Sequence, residues 1–205
     1  MNFSEYWDSV YSKFNREAKY DNWLDSYKHT FKNCTTKILD LGCGAGNDSL
    51  YFIEKGYKVL ACDYSKEALK TIERNIEGIE TKLLDISEPF EFEDNSFELI
   101  IADLCLHYFD EKTTIEIMKE LKRILKPNGY LLARVNSIGD VNHGAGQGEK
   151  IEENYYFVEG YNKRFFTIKD IKKFFSIIGD VQVKEAEMLR YSKPKKLIEI
   201  CVKKN

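Results

Sequence analysis

Asp40-Leu41-Gly42-Cys43-Gly44-Ala45-Gly46 decides the fold of this chain. Ahead of it, Lys37-Ile38-Leu39-Asp40-Leu41 is a short apolar run that stops at Gly42, as a buried strand does. Behind it, Asp48 to Lys55 reads as a helix closed by Gly56, a usual residue just past a helix end. Between strand and helix, three glycines alternate. Glycine accepts positive φ and lets a ligand approach the main chain. The start of a helix offers unpaired N–H groups to a carboxylate or phosphate. In an open α/β sheet, ligands bind outside the carboxyl ends of strands at the topological switch point.

Working outward, the alternation continues. Tyr57 to Cys62 predicts a strand and Ser65 to Asn75 a helix, with Ser65 as its N-cap. Glu80 to Leu84 is a short strand and Phe97 to Ala102 a strongly apolar one. Lys112 to Leu125 predicts a helix, Lys126-Pro127-Asn128-Gly129 a turn, and Tyr130 to Val135 the next strand. Buried strands alternating with helices mean a mostly parallel sheet, covered on both faces and joined by right-handed crossovers.

The flanks read differently. Phe3, Tyr6, Trp7, Val10, Tyr11 and Phe14 recur at helical spacing, and Tyr20 to Phe31 is a second helical stretch. Residues 1–33 are thus expected to form an N-terminal helical cap. Ser137 to Gly160 carries five glycines and few aliphatics, so residues 137–160 are expected to be a long loop of the functional kind. Thr167 to Ile178 returns to helix. Val181 to Leu189 and Lys196 to Val202 form a strand pair turning at Pro194. Residues 1–205 read as one domain.

Composition narrows the function classes. Of 205 residues, 43% are hydrophobic and 32% charged, a globular mix. The formal net charge is −3 and the isoelectric point about 5.8, which speaks against a grip on nucleic acid and for a small-molecule partner. The run Lys193-Pro194-Lys195-Lys196 is the one local basic patch and reads as a solvated hairpin tip. The five cysteines show no C-x-x-C spacing, and the three histidines are scattered, so neither a disulfide framework nor a metal site is expected. Met1 to Asn15 lacks the apolar core of a secretory signal, and no run approaches the about 18 apolar residues of a membrane span. A cytoplasmic chain, monomer or homodimer, is the expectation.

Acids end the following strands. Asp63 ends the second, 17 residues after Gly46, where a carboxylate can accept from ribose hydroxyls. Asp85 ends the third, placed to accept from an adenine amino group, with Ile86 over the ring; Asp103 ends the fourth. A dinucleotide enzyme would share the first part of this pattern. Its G-x-G-x-x-G fingerprint is broken here, because the third glycine comes one position early and Asn47 stands where the last would be.

The glycine stretch, Asp63, Asp85, Asp103 and the Leu125-Lys126-Pro127-Asn128-Gly129-Tyr130-Leu131 turn together resemble the class I S-adenosylmethionine-dependent methyltransferases. The match runs from Ile38 to Val135. Within that family, the Tyr6-Trp7-Asp8 helix and the Tyr51 to Val59 segment are most similar to small bacterial methyltransferases of the tellurite-resistance type. The resemblance implies a Rossmann-like three-layer αβα sandwich, its seven-stranded sheet mostly parallel with an antiparallel final strand. It implies S-adenosylmethionine as cofactor, with S-adenosylhomocysteine as product. The methionine part would lie along Gly42, Cys43 and Gly44, the ribose on Asp63, and the adenine beside Asp85 and Ile86. Leu104 and His107 would lie near the methyl group, and Asp40, Tyr64 and Asp103 complete the cofactor set.

On the acceptor side, His107 is the candidate general base, or else a polar wall of the pocket. Tyr108 beside it suits packing or substrate contact. Arg134, on the fifth strand, needs an anion, either an acidic substrate or a protein carboxylate. His143 and Tyr11 are candidates to reach over the substrate, and Tyr155, Tyr156 and Arg164 are further lid candidates. The favoured reading is methyl transfer to a small molecule. Methylation of RNA or protein, or cofactor binding without catalysis, are the alternatives.

Overall fold

The structure, a computed structural model, describes residues 3–13, 17–189 and 192–205. Phe14, expected on the first helical face, lies outside them. Helix α1 spans Phe3–Ser12, and the Trp23–Tyr27 turn of 3-10 helix leads into α2 (Lys28–Phe31). Then follow β1 (Ile38–Leu41), α3 (Asn47–Ile53), β2 (Val59–Asp63), α4 (Lys66–Asn75), β3 (Glu80–Leu83), β4 (Phe97–Asp103), α5 (Glu111–Ile124) and β5 (Leu125–Asn136). The chain finishes with β6 (Glu149–Glu152), β7 (Tyr155–Val158), β8 (Tyr161–Arg164), α6 (Ile168–Phe175), β9 (Gly179–Met188) and β10 (Lys195–Lys204).

Seven strands form one sheet in the order β3-β2-β1-β4-β5-β10-β9, in which β10 runs antiparallel to both neighbours. This is the expected Rossmann-like sheet with its last strand reversed. The central strands are apolar throughout because both faces are covered. Leu39, Leu41, Ile100 and Ala102 point into one core with Met118 and Phe174. Ile38, Leu99 and Ile101 point into the other with Phe31 and Phe52. Strand order reverses between β1 and β4, so the carboxyl ends of these two strands open the cleft.

Helix starts follow their caps. Ser65 Oγ accepts from the Ala68 N–H at 3.1 Å, as expected for α4. Asp110 caps α5 by accepting from the Thr113 N–H at 2.7 Å. Thr167 and Asp170 make a reciprocal capping box at α6.

Three expectations need correcting. Tyr20 to Phe31 is not one helix but a 3-10 turn and a four-residue helix. Tertiary bonds override propensity there: Trp23 Nε1 donates to Asp48 at 3.0 Å and Tyr27 to Glu199 at 3.1 Å. Lys126 to Gly129 is a bulge inside β5, since Phe97 pairs with Leu125 but Leu99 with Tyr130. Residues 137–160 are not a structureless loop. They hold a short 3-10 turn, β6 and β7, and these two strands join β8 in a three-stranded antiparallel sheet. Ala145, Val158 and Phe165 give it a small core of its own.

Candidate active site

The loop between β1 and α3 borders a cleft of about 1060 Å³. Two glycines shape it. Gly42 has φ +68°, and a Cβ there would stand 2.4 Å from Cys105 Cβ. Gly44 has φ +53°, and its missing Cβ makes room for the Tyr11 hydroxyl. We expect Gly42→Ala to cost about 1–3 kcal/mol through strain and overpacking, seen as a lower thermal midpoint and weaker cofactor binding. A variant as stable as the parent would show that the loop has a second relaxed conformation.

Asp63 fixes this loop. Its Oδ2 accepts from the Gly44 N–H and its Oδ1 from the Ser65 N–H, both at 2.9 Å. Burial pushes its carboxyl above the usual carboxylate range, opposed by these backbone N–H bonds. Asp40, under the loop, accepts from Ser49 Oγ at 2.5 Å. Burial, with the charges of Asp103 and Asp63 nearby, pushes its carboxyl up to about 7. Asp85 accepts from the Ser87 N–H and hydroxyl at 2.9 and 2.6 Å, so its turn is preformed. Tyr64, Asp85 and Ile86 all line the cleft. Leu104, just past β4, holds a positive φ of 57°, unusual for a branched side chain and common beside functional sites.

Asp103 and Arg134 form a buried pair. Arg134 Nε and Nη2 donate to the two Asp103 oxygens at 2.7 Å, and Nη1 reaches Asp21 at 2.9 Å. The guanidinium also stacks 4.6 Å from the Trp23 ring. Arg134 therefore does not line the cleft, and its place among substrate residues is withdrawn: protein carboxylates already satisfy its charge.

The part of the cleft around His107 and Tyr108 is walled by the second sheet and α1. Tyr155 donates to the Tyr108 carbonyl at 2.9 Å, and the Arg164 N–H to the His107 carbonyl at 2.7 Å. Helix α1 is tied down where Asp8 accepts from Ser65 Oγ at 2.5 Å and from the Glu67 N–H at 3.2 Å. Its Trp7 meets Tyr108 with ring centres 5.7 Å apart, and its Tyr6 meets Tyr161 at 5.1 Å. Tyr11 extends this wall toward the glycine loop. His107 is buried beneath, its ring centre 4.2 Å from that of Tyr108 and the two planes tilted by 44°. Burial, then the charges of Lys195 and Lys163, hold its imidazole well below the usual range, so it is neutral. His143 lines the cleft and is held by Asp140 at 2.8 Å.

Several residues here escaped the sequence reading. Asn136, Asp140, Lys163 and Lys195 are all buried. Lys195 belongs to the run expected to be a solvated tip; instead its ammonium meets the fully buried Asp140 at 2.9 Å. A buried lysine has no sequence signature, although the break in rhythm after Asn136 marked the segment that covers it. Among the described residues, no cluster of histidine, cysteine or acid could hold a metal ion, and no helix is long and apolar enough to cross a membrane. Burial pushes the Cys34 thiol up to about 11 and the Cys62 thiol to about 12, which removes both as nucleophiles at neutral pH.

Comparison with known proteins agrees with this geometry. The family described as "Methyltransferase domain" matches residues 38–129. A Bacillus subtilis protein provisionally named methyltransferase YqeM is 32% identical over 133 residues, 63% of this chain and 53% of that protein. TehB of Haemophilus influenzae, provisionally an S-adenosyl-L-methionine-dependent methyltransferase, is 29% identical over 139 residues, 65% of this chain and 47% of its own. The chain thus spans about half the length of the curated relatives it matches. The crystal structure of a SAM-dependent methyltransferase from Methanosarcina mazei superposes with a TM-score of 0.72 at 25% identity, covering 90% of this chain and 98% of that one. Residues 38–129 of this chain thus match a methyltransferase family, and over 90% of its length the chain is similar to a SAM-dependent methyltransferase of known structure.

Proposed function

We propose that this protein transfers the methyl group of S-adenosylmethionine to a small molecule. The observation that carries the reading is one cleft with two unlike ends. Gly42, Gly44, Asp63 and Asp85 line one end. His107 and Tyr108 line the other, under α1 and the β6–β8 sheet. The residues suit the cofactor: the glycine-rich loop lets a ligand approach its backbone, and Asp63 keeps lone pairs for ribose hydroxyls beyond its bonds to the Gly44 and Ser65 N–H groups. Asp85 and Ile86 suit the adenine, and Asp40, Tyr64 and Leu104 complete the pocket.

S-adenosylmethionine supplies a methyl group activated by the sulfonium charge. The protein's share is position and dryness. The glycine loop and Asp63 hold the donor end. Trp7, Tyr11 and Tyr108 exclude water, and the neutral His107 can take a proton from an acceptor that must lose one. Helix α1 and the β6–β8 sheet act as the cover, opening for entry and closing before transfer.

A second reading is methylation of RNA, since a chicken relative, 27% identical over 157 residues, is a tRNA N(3)-cytidine methyltransferase. The roofed cleft and the net charge of −3 favour a small molecule instead. Release of S-adenosylhomocysteine, assayed against a small-molecule panel and against bulk tRNA, separates the two. We expect turnover with members of the panel. Turnover with tRNA alone, lost steeply as salt rises, would establish the RNA reading.

A further inference from the structure

The acceptor end of the cleft holds two buried polar atoms with no hydrogen-bond partner among the described residues, His107 Nδ1 and Asn136 Oδ1. Their residues are only 3% and 1% exposed. Folded proteins rarely leave such atoms unpaired, and where they do, a ligand is a natural partner. The same end holds two buried ammonium groups, on Lys163 and Lys195. Lys195 is balanced by Asp140, whose carboxylate also serves His143 and the Lys196 N–H. Lys163 is balanced differently. Its partner Glu159 lies at the rim with its side chain 59% exposed and can be exchanged for another anion. The aromatic wall of Trp7, Tyr108 and Tyr161 lies over the same space.

We propose that this end of the cleft is an acceptor subsite for a small organic acid. Its carboxylate binds Lys163 and Lys195 in place of Glu159, its body lies against Trp7, Tyr108 and Tyr161, and a separate O–H or N–H meets His107 and Asn136. The assignment rests on the methyl-transfer reading above and names its substrate class. In the reaction, the acceptor oxygen or nitrogen bonds to the methyl carbon as the S–CH3 bond breaks and its electron pair stays on sulfur. The acceptor proton goes to His107 Nδ1. The bound carboxylate offsets the two lysine charges that otherwise oppose protonation of His107.

Calorimetry with S-adenosylhomocysteine already bound tests this directly. The probes are 3-hydroxybenzoate, 4-hydroxybenzoate and anthranilate, each against its methyl ester, with inorganic selenite as the oxyanion control. At least one acid should bind about tenfold or more tightly than its ester. Lys163→Met should abolish that preference, and Glu159→Gln should strengthen it, both with S-adenosylhomocysteine affinity unchanged. Turnover should follow the same order. Equal binding of acids and esters, binding of none of them, a preference that survives Lys163→Met, or turnover of selenite but of no acid would each overturn the proposal. Failure to bind S-adenosylhomocysteine itself would overturn the methyl-transfer reading, and this subsite with it. Lys195→Met is a less useful variant, because it strands the buried Asp140.

Discussion

Asp63→Ala should weaken S-adenosylmethionine binding by about 100-fold or more. The charge-assisted bonds to a ribose account for about 1.5–3 kcal/mol, and the upper end of that range alone is about 150-fold. The structure adds a second loss. Both Asp63 oxygens already hold backbone N–H groups, of Gly44 and of Ser65, so removing the carboxylate also frees the loop that must be preformed for the ligand. The conservative Asp63→Asn should rescue little, since its amide NH2 would face one of those two N–H donors. Calorimetric titration of the variants is the measurement. Parental affinity in Asp63→Ala would mean that the ribose sits elsewhere.

The largest effect on stability is expected at Arg134, remote from the acceptor. Its side chain is 4% exposed and holds Asp103, itself only 10% exposed. Asp48 is also buried nearby, and its carboxyl is raised well above the usual range by burial and by Asp103, with Arg134 the charge that opposes this. Arg134→Met removes the one cation among them. Breaking a buried pair by deleting one partner costs about 3–5 kcal/mol, because the remaining charge is stranded. Urea unfolding should show the midpoint falling with the slope unchanged. Asp103→Asn in the same background should restore part of the loss. A change below about 1 kcal/mol in Arg134→Met would mean that water reaches Asp103 and the pair is not structural.

How far the sequence reached can be read from particular residues. The β1 run, the three glycines and the acids at the ends of β2 and β4 and just past β3 are local signals, because buried strands must be apolar and tight turns need glycine. Of these residues, Asp40, Gly42, Gly44, Asp63, Asp85 and Asp103 all line the cleft. The role of Arg134 was not legible, since a buried arginine looks the same whether its anion is a substrate or Asp103. The β6–β8 sheet was missed for a different reason. Its strands are four residues each, β6 is largely exposed, and glycines interrupt the segment ahead of them. Neither period nor length distinguishes such strands from loop. Lys163 and Lys195 are buried only because that sheet and β10 close over them, so their place follows from tertiary structure alone.

Calorimetric titration of S-adenosylmethionine into the intact protein tests the central claim most directly. One site with micromolar affinity, competed by S-adenosylhomocysteine, is the result this site predicts. Absence of binding at millimolar cofactor, from a protein shown to be folded, would contradict it.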